Sequence, residues 1–170
     1  IVPEHGIASA RVVGIASSAG FCTIYVSKML MNREIGFGRH LLQIFEEEGI
    51  SYEHTPSGID NVSIVLEEAQ LTPEREVHVL KRIRQELGVD HVSVERNQAL
   101  IMIVGEGMHY TVGLAGQATR ALAAADVNIE MMNQGSSEIS MMFGVKADDR
   151  KRAVASLYDA FFNADEGVPS

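Results

Sequence analysis

The chain reads as an α+β protein built from two ferredoxin-like βαββαβ modules, the first inserted within the second. Three observations carry that reading. Strand-like and helix-like stretches alternate in the order βαββαβ and then begin again. A short segment recurs without a gap at a fixed spacing: residues 49–64 lie over 126–141, with Glu53 on Glu130, Gly58 on Gly135 and Ser63 on Ser140. The second set of elements also runs out before its last strand, which leaves an early strand at residues 11–17 to complete its sheet.

The elements follow in order. Residues 11–17 hold the apolar run Val12-Val-Gly-Ile-Ala16, closed by Ser17-Ser-Ala-Gly20, and a second strand is expected over 21–29. Gly36 and Gly38 break the chain into a turn, after which Phe37, Leu41, Ile44 and Phe45 recur at the spacing of one helical face. Gly49 supplies a left-handed stop. Short strands are expected at 50–55 and 61–66, joined by Pro56, Ser57 and Gly58. Thr72-Pro73-Glu74 is a helix start, with a hydroxyl cap, proline in the first turn and an acid beside it. Val77, Leu80, Ile83 and Leu87 give that helix an apolar side, Gly88 ends it, and 89–95 alternates as a strand. The second module repeats the order: a strand at 99–104, Gly105-Glu-Gly107, a helix over 111–125 and strands at 127–132 and 138–145. A last helix opens at Asp148 and Asp149 and carries Ala153, Leu157 and Phe161. The modules so drawn span 18–96 and 10–17 plus 97–163, and 1–9 and 164–170 are expected to be flexible ends.

Composition narrows the function. A net charge of −9 disfavours nucleic acid, whose phosphates call for clustered Lys and Arg. No stretch approaches the roughly 18 uninterrupted apolar residues of a membrane span. The single Cys22, on an alternating strand, excludes an internal disulfide and suits a core thiol in a reducing cytoplasm. The six histidines show no metal-binding spacing, so no metal site is expected. There is no nucleophile elbow and no phosphate-binding loop with its lysine, so no catalytic residues are assigned. Ile1-Val-Pro is not a start-codon opening, and the chain reads as cut from a longer polypeptide.

Two glycine-bearing turns remain as candidate sites. Gly36-Phe-Gly38 stands between a strand and a helix, where backbone amides attract a carboxylate or phosphate; a tight turn alone would also explain it. Gly105-Glu-Gly107 resembles the opening of a dinucleotide fingerprint, but Tyr110 fills the third glycine position. Glu53, Asp60 and Glu130 are carboxylates for an ammonium group, and Glu46-Glu-Glu48 reads as the solvated end of a helix.

Residues 31–39 (Met-Asn-Arg-Glu-Ile-Gly-Phe-Gly-Arg), 54–60 (His-Thr-Pro-Ser-Gly-Ile-Asp) and 133–143 (Asn-Gln-Gly-Ser-Ser-Glu-Ile-Ser-Met-Met-Phe) resemble the C-terminal regulatory region of aspartate kinases, a tandem pair of ACT domains. The resemblance covers residues 11–162. It implies feedback control by an amino acid, lysine first and threonine as the alternative, over a kinase domain that this chain does not contain. ATP and Mg would belong to that domain, and no cofactor is expected here. Carried over, the effector site comprises Met29, Leu30, Asn32, Gly36, Phe37, Gly38, Arg39, Ser51, Tyr52, Glu53, His54 and Asp60. The amides near Gly36–Gly38 would take the effector carboxylate and Glu53 its ammonium group. The loop departs from the shorter Ser-Arg-Gly-Phe form of lysine-sensitive relatives, and Glu53 stands where they often carry aspartate. Asn128, Asn133 and Gln134 match positions at ACT–ACT contacts, which implies a homodimer. The competing readings are a ligand-free dimerisation module and a small nucleotide-binding enzyme.

Overall fold

The computed structural model describes residues 11–163. The elements are β1 (Gly14–Ser27), α1 (Phe37–Glu47), β2 (Asn61–Glu67), α2 (Pro73–Leu87), β3 (His91–Val104), α3 (Leu114–Ala124), β4 (Met131–Gln134), β5 (Ser140–Lys146) and α4 (Arg150–Tyr158). By contacts the described residues fall into two compact units, 20–98 and 11–19 with 99–163. Each is a mixed α/β unit of the ferredoxin-like kind, with antiparallel pairing where register is defined.

In the unit 20–98, β1 lies between β2 and β3, and Cys22 through Ser27 pair antiparallel with Leu66 through Asn61. The inner face of α1 is the expected one: Phe37, Leu41, Ile44 and Phe45 are all buried. Each such side chain taken from water contributes about 1.5–3 kcal/mol. The helix stops as expected at Gly49, in the left-handed region at φ 64°. The Ile50 and Gly49 amides donate to Phe45 and Glu46 carbonyls, a Schellman closure. Thr72 caps α2, its hydroxyl accepting from the Arg75 amide, with Pro73 in the first helical position.

The unit 11–19 with 99–163 places β3 next to β1 on one side and β5 on the other, with β4 at the edge. Its core gathers Val12, Ile15, Ile101, Ile103, Leu114, Ala118, Leu122, Phe143, Val145 and Leu157. A shift of 77 residues carries α1 onto α3 end for end. The same shift carries the Schellman closure: Val127 donates to Leu122 and Asp126 to Ala123, with Asp126 left-handed where the first unit has Gly49.

Several expectations need correction. Residues 11–17 and 21–29 are not two strands; β1 runs continuously from Gly14 to Ser27, Gly20 absorbing the polar interruption at φ 94°. The strands expected at 89–95 and 99–104 are likewise one, β3. No strand forms at 50–55. That segment touches β2 only through isolated bridges, His54 to Val65 and Ser57 to Val62, and Pro56 has no amide to extend the ladder. The third helix starts at Leu114, after a 3₁₀ turn at Glu106–Met108. The strand expected over 127–132 lies at Met131–Gln134, and α4 gives way to a π-helical turn at Asp159–Asn163. Val77 does not face inward: it is 71% exposed, and the buried stripe is Val79, Ile83 and Leu87. Glu46-Glu-Glu48 is not simply a wet helix end, because Glu47 and Glu48 both hold Arg82 of α2. The expected flexible ends, 1–9 and 164–170, lie outside the described residues.

Candidate functional site

The loop between β1 and α1 is fastened mainly by backbone amides and carboxylates. Lys28 N–H donates to the Asp60 carbonyl at 2.9 Å and Asn32 N–H to Ile59 at 3.2 Å. Leu30 N–H donates to Asp60 Oδ1 at 2.9 Å, and Met29 N–H to Asp90 Oδ2 at 2.6 Å. Leu30 sits in the left-handed region at φ 60°, a conformation that costs a non-glycine residue roughly 1–2 kcal/mol. Lys28 Nζ bonds Glu34 Oε2 at 2.5 Å and the Leu87 carbonyl at 2.6 Å, and lies 5.6 Å from the centre of the Phe37 ring. Met31 opens a 3₁₀ turn (Met31–Arg33) and is buried, whereas Met29, Leu30 and Ile35 are exposed, Ile35 at 97%. Gly36 then opens α1 at φ 83°, and no side chain caps the helix. Phe37 N–H donates to the Glu34 carbonyl at 3.3 Å, and a helix start without a side-chain cap is the kind of place that receives an anionic group.

The other candidates stand as follows. Phe37 is buried and anchors α1, while Asn32, Gly38 and Arg39 are exposed. Arg39 runs along the helix, bonding Gln43 at 3.2 Å and contacting the His40 ring. Ser51 is tied to Gln70 by three bonds: its amide and hydroxyl donate to Gln70 Oε1 at 2.9 and 3.1 Å, and Gln70 Nε2 donates to its carbonyl. Tyr52 and Glu53 are exposed, the Glu53 amide bonded to the Val65 carbonyl at 2.8 Å. His54 is half-buried, and its Nε2 is shielded from solvent without a hydrogen-bond partner. Burial holds its pKa below the ordinary histidine value. The sequence pattern alone does not single out Asp90, Lys28 or Gln70. A turn aspartate after Gly88 carries no local sign that it will meet an amide 61 residues earlier.

The second unit has its own version of this loop. Tyr110 is left-handed at φ 58°, and its amide donates to Glu138 Oε2 at 3.0 Å. His109 Nδ1 lies 3.0 Å from the Ser137 carbonyl. Gly113 opens α3 at φ 93°, again without a side-chain cap. A cavity of about 430 Å³ lies there, walled by Thr111, Gly113, Leu114, Gln134, Gly135 and Glu138 among others. Gly105 is explained by packing: a Cβ on it would stand 2.3 Å from the Arg11 carbonyl oxygen. Asn133 and Gln134 lie on β4 opposite Met142 and Met141 of β5, and Asn128 is exposed ahead of it. Among the described residues no cluster of His, Cys, Asp and Glu could hold a metal ion, and no helix is long and apolar enough to cross a membrane.

Comparison with known proteins fits this architecture. Residues 101–161 match the family model described as an ACT domain. Over 162 residues, 95% of the chain, it is 55% identical to aspartokinase 3 of Bacillus subtilis (strain 168). The chain is an ACT regulatory region of the aspartate kinase family. It spans about a third of that relative's length, 36%. The aspartate kinase of Clostridium acetobutylicum, described as an allosteric enzyme, superposes with a TM-score of 0.86 at 39% identity, covering 93% of this chain and 36% of that one. The regulatory subunit of aspartate kinase from Thermus flavus shares the fold at 20% identity and a TM-score of 0.76, covering 88% of this chain and 98% of that one.

Proposed function

We propose that this region senses lysine and passes its occupancy to an attached aspartate kinase domain as feedback control, threonine being the alternative effector. The observation that carries the reading is the uncapped, glycine-opened start of α1 beside a loop already fastened from outside. Its amides suit an amino-acid carboxylate, and the exposed Glu53 is assigned the ammonium group. Support for lysine comes from E. coli aspartokinase III, of the same fold at 18% identity and a TM-score of 0.73, whose structure is described as a T-state complex with lysine and aspartate. In this reading ATP and Mg serve the kinase domain and this region needs no cofactor. The two modules are 18–96 and 10–17 with 97–163, the first inserted in the second. The region forms a homodimer in the cytoplasm, with Asn128, Asn133 and Gln134 at the contact; β4, an edge strand, supplies unpaired backbone groups for it. Feedback then requires the effector to bind one arrangement of the domains better than another.

The test is thermal unfolding of the 170-residue chain with millimolar lysine, threonine, methionine or ATP. A ligand that binds only the folded state raises the midpoint according to its occupancy. The expected result is a rise with lysine that Glu53→Ala abolishes. A rise with ATP alone, or with none of the four, would overturn the reading.

A further inference from the structure

We propose that Asp60 and Glu138 are positioning residues, each latching the amide of a left-handed loop residue so that the loop ahead of its helix is set before any ligand arrives. For Asp60 this rests on the reading of residues 29–39 as an effector loop, and it gives that carboxylate a role other than meeting an ammonium group.

The observation is the same bond made twice by residues that do not correspond. Leu30 (φ 60°) donates to Asp60 Oδ1 at 2.9 Å, and Tyr110 (φ 58°) donates to Glu138 Oε2 at 3.0 Å. Each carboxylate stands just ahead of a strand of its own unit, Asp60 before Asn61 of β2 and Glu138 two residues before Ser140 of β5. The helices superpose at a shift of 77 residues, yet Leu30 and Tyr110 are 80 apart and Asp60 and Glu138 are 78 apart. Neither the donor nor the acceptor sits where the duplication would put it, and one partner is Asp while the other is Glu. What recurs is the bond: a carboxylate standing ahead of a later strand, on the amide of a left-handed residue.

A physical need explains it. Neither α1 nor α3 carries a side-chain cap that would fix the chain entering it. A left-handed leucine or tyrosine is disfavoured on its own, so the conformation must be held from outside. An ionised acceptor makes one of the stronger hydrogen bonds available to an amide. In the first module Asp90 adds a second fastening one residue earlier, on Met29.

Asparagine and alanine separate the two roles of Asp60. Asp60→Asn keeps a carbonyl acceptor and removes the charge; Asp60→Ala removes both. Two measurements on the 170-residue chain decide. The first is hydrogen exchange of the Leu30 amide, followed by NMR without ligand, which should stay slow in the wild type and Asp60→Asn and accelerate about tenfold in Asp60→Ala. The second is the lysine-induced rise in unfolding midpoint, retained in Asp60→Asn and lost in Asp60→Ala. Unchanged Leu30 exchange in Asp60→Ala overturns the latch. So does a lysine response lost equally in both variants, which would make Asp60 an ammonium ligand. If the wild type shows no lysine response, the effector reading fails by itself, and exchange at Leu30 still decides the latch. Exchange of the Tyr110 amide in Glu138→Gln and Glu138→Ala applies the same criterion to the second module.

Discussion

Replacing Gly105 by alanine tests whether that glycine serves packing or a nucleotide. Gly105 has φ 171°, extended backbone open to any residue, so its conformation does not require glycine. Its surroundings do. An added Cβ would lie 2.3 Å from the Arg11 carbonyl oxygen, 3.0 Å from Val12 Cα and 3.1 Å from the Arg11 carbonyl carbon, all backbone atoms that no rotamer change can move. The two segments must separate by roughly 1 Å to reach ordinary contact. Two bonds flank the point, Val13 N–H to the Val104 carbonyl at 2.8 Å and Gly105 N–H to the Ile139 carbonyl at 2.9 Å, and both lengthen as it opens. Overpacking costs about 1–3 kcal/mol, and each weakened bond adds about 0.5–1.5 kcal/mol. The total, about 2–6 kcal/mol, corresponds to a fall in Tm of roughly 4–24 °C for a chain of this size. Gly116→Ala is the matched control. It lies within α3, where a Cβ would meet nothing closer than Arg120 Nη1 at 3.7 Å, so it should raise stability by about 0.5–1 kcal/mol. Thermal unfolding followed by circular dichroism reads both. A Gly105→Ala protein melting within about 1 °C of the wild type would refute the packing argument.

Two further predictions concern charge and burial. Hydrogen bonds from Arg82 hold the Glu86 and Glu47 carboxyls below the ordinary value of 4.5. Carboxyls depressed in the folded state stabilise it above their unfolded pKa and lose that contribution as pH falls through the folded one. The Tm gap between wild type and Arg82→Ala should therefore be present at pH 7, close below about pH 4.5, and narrow with added salt; a gap unchanged at pH 3 would contradict this. Cys22 is fully buried and burial pushes its thiol up to about 11, so iodoacetamide at pH 8 should leave it unlabelled until denaturant is added. Labelling at the rate of a free cysteine would show that the strand opens readily.

What could be read from the sequence was whatever local spacing controls. The four apolar residues of α1, the Gly49 stop and the Thr72-Pro73 start each depend on residues within two turns of one another, and each was found where expected. The errors share a cause, which is that distant partners decide the outcome. Residues 50–55 have strand-like composition, but Gln70 takes up the polar groups of Ser51 and Pro56 cannot donate. Val77 fits an i, i+3 series with Leu80 and Ile83, yet it lies about 200° around the helix from Val79, at 100° per residue. The layer beneath selected Val79, Ile83 and Leu87 instead. In the candidate site the glycine turn at Gly36 was legible, whereas Asp90 and Gln70 were not, because Asp90 reaches the loop, and Gln70 the segment at Ser51, from a distant stretch of the chain.

The two modules show which parts of the duplication are held by the core and which are free to differ. One shift of 77 residues carries α1 onto α3 and one Schellman closure onto the other, because both depend on burying the same helical face. Even the residue just before each helix-opening glycine keeps its character: Ile35 is 97% and Val112 96% exposed. The loops do not follow the shift. The first is drawn in by Lys28, which joins Glu34 and the Leu87 carbonyl and so draws the loop toward the end of α2. The second has His109 and Tyr110 packed ring against ring at 3.7 Å and leaves a cavity of about 430 Å³ at the start of α3. A core tolerates little drift in the residues that fill it, whereas a surface loop need only keep its fastening. The carboxylate-to-amide bond survives in both modules while every residue that makes it has changed, so holding the loop is the constraint and the identity of its residues is the variable.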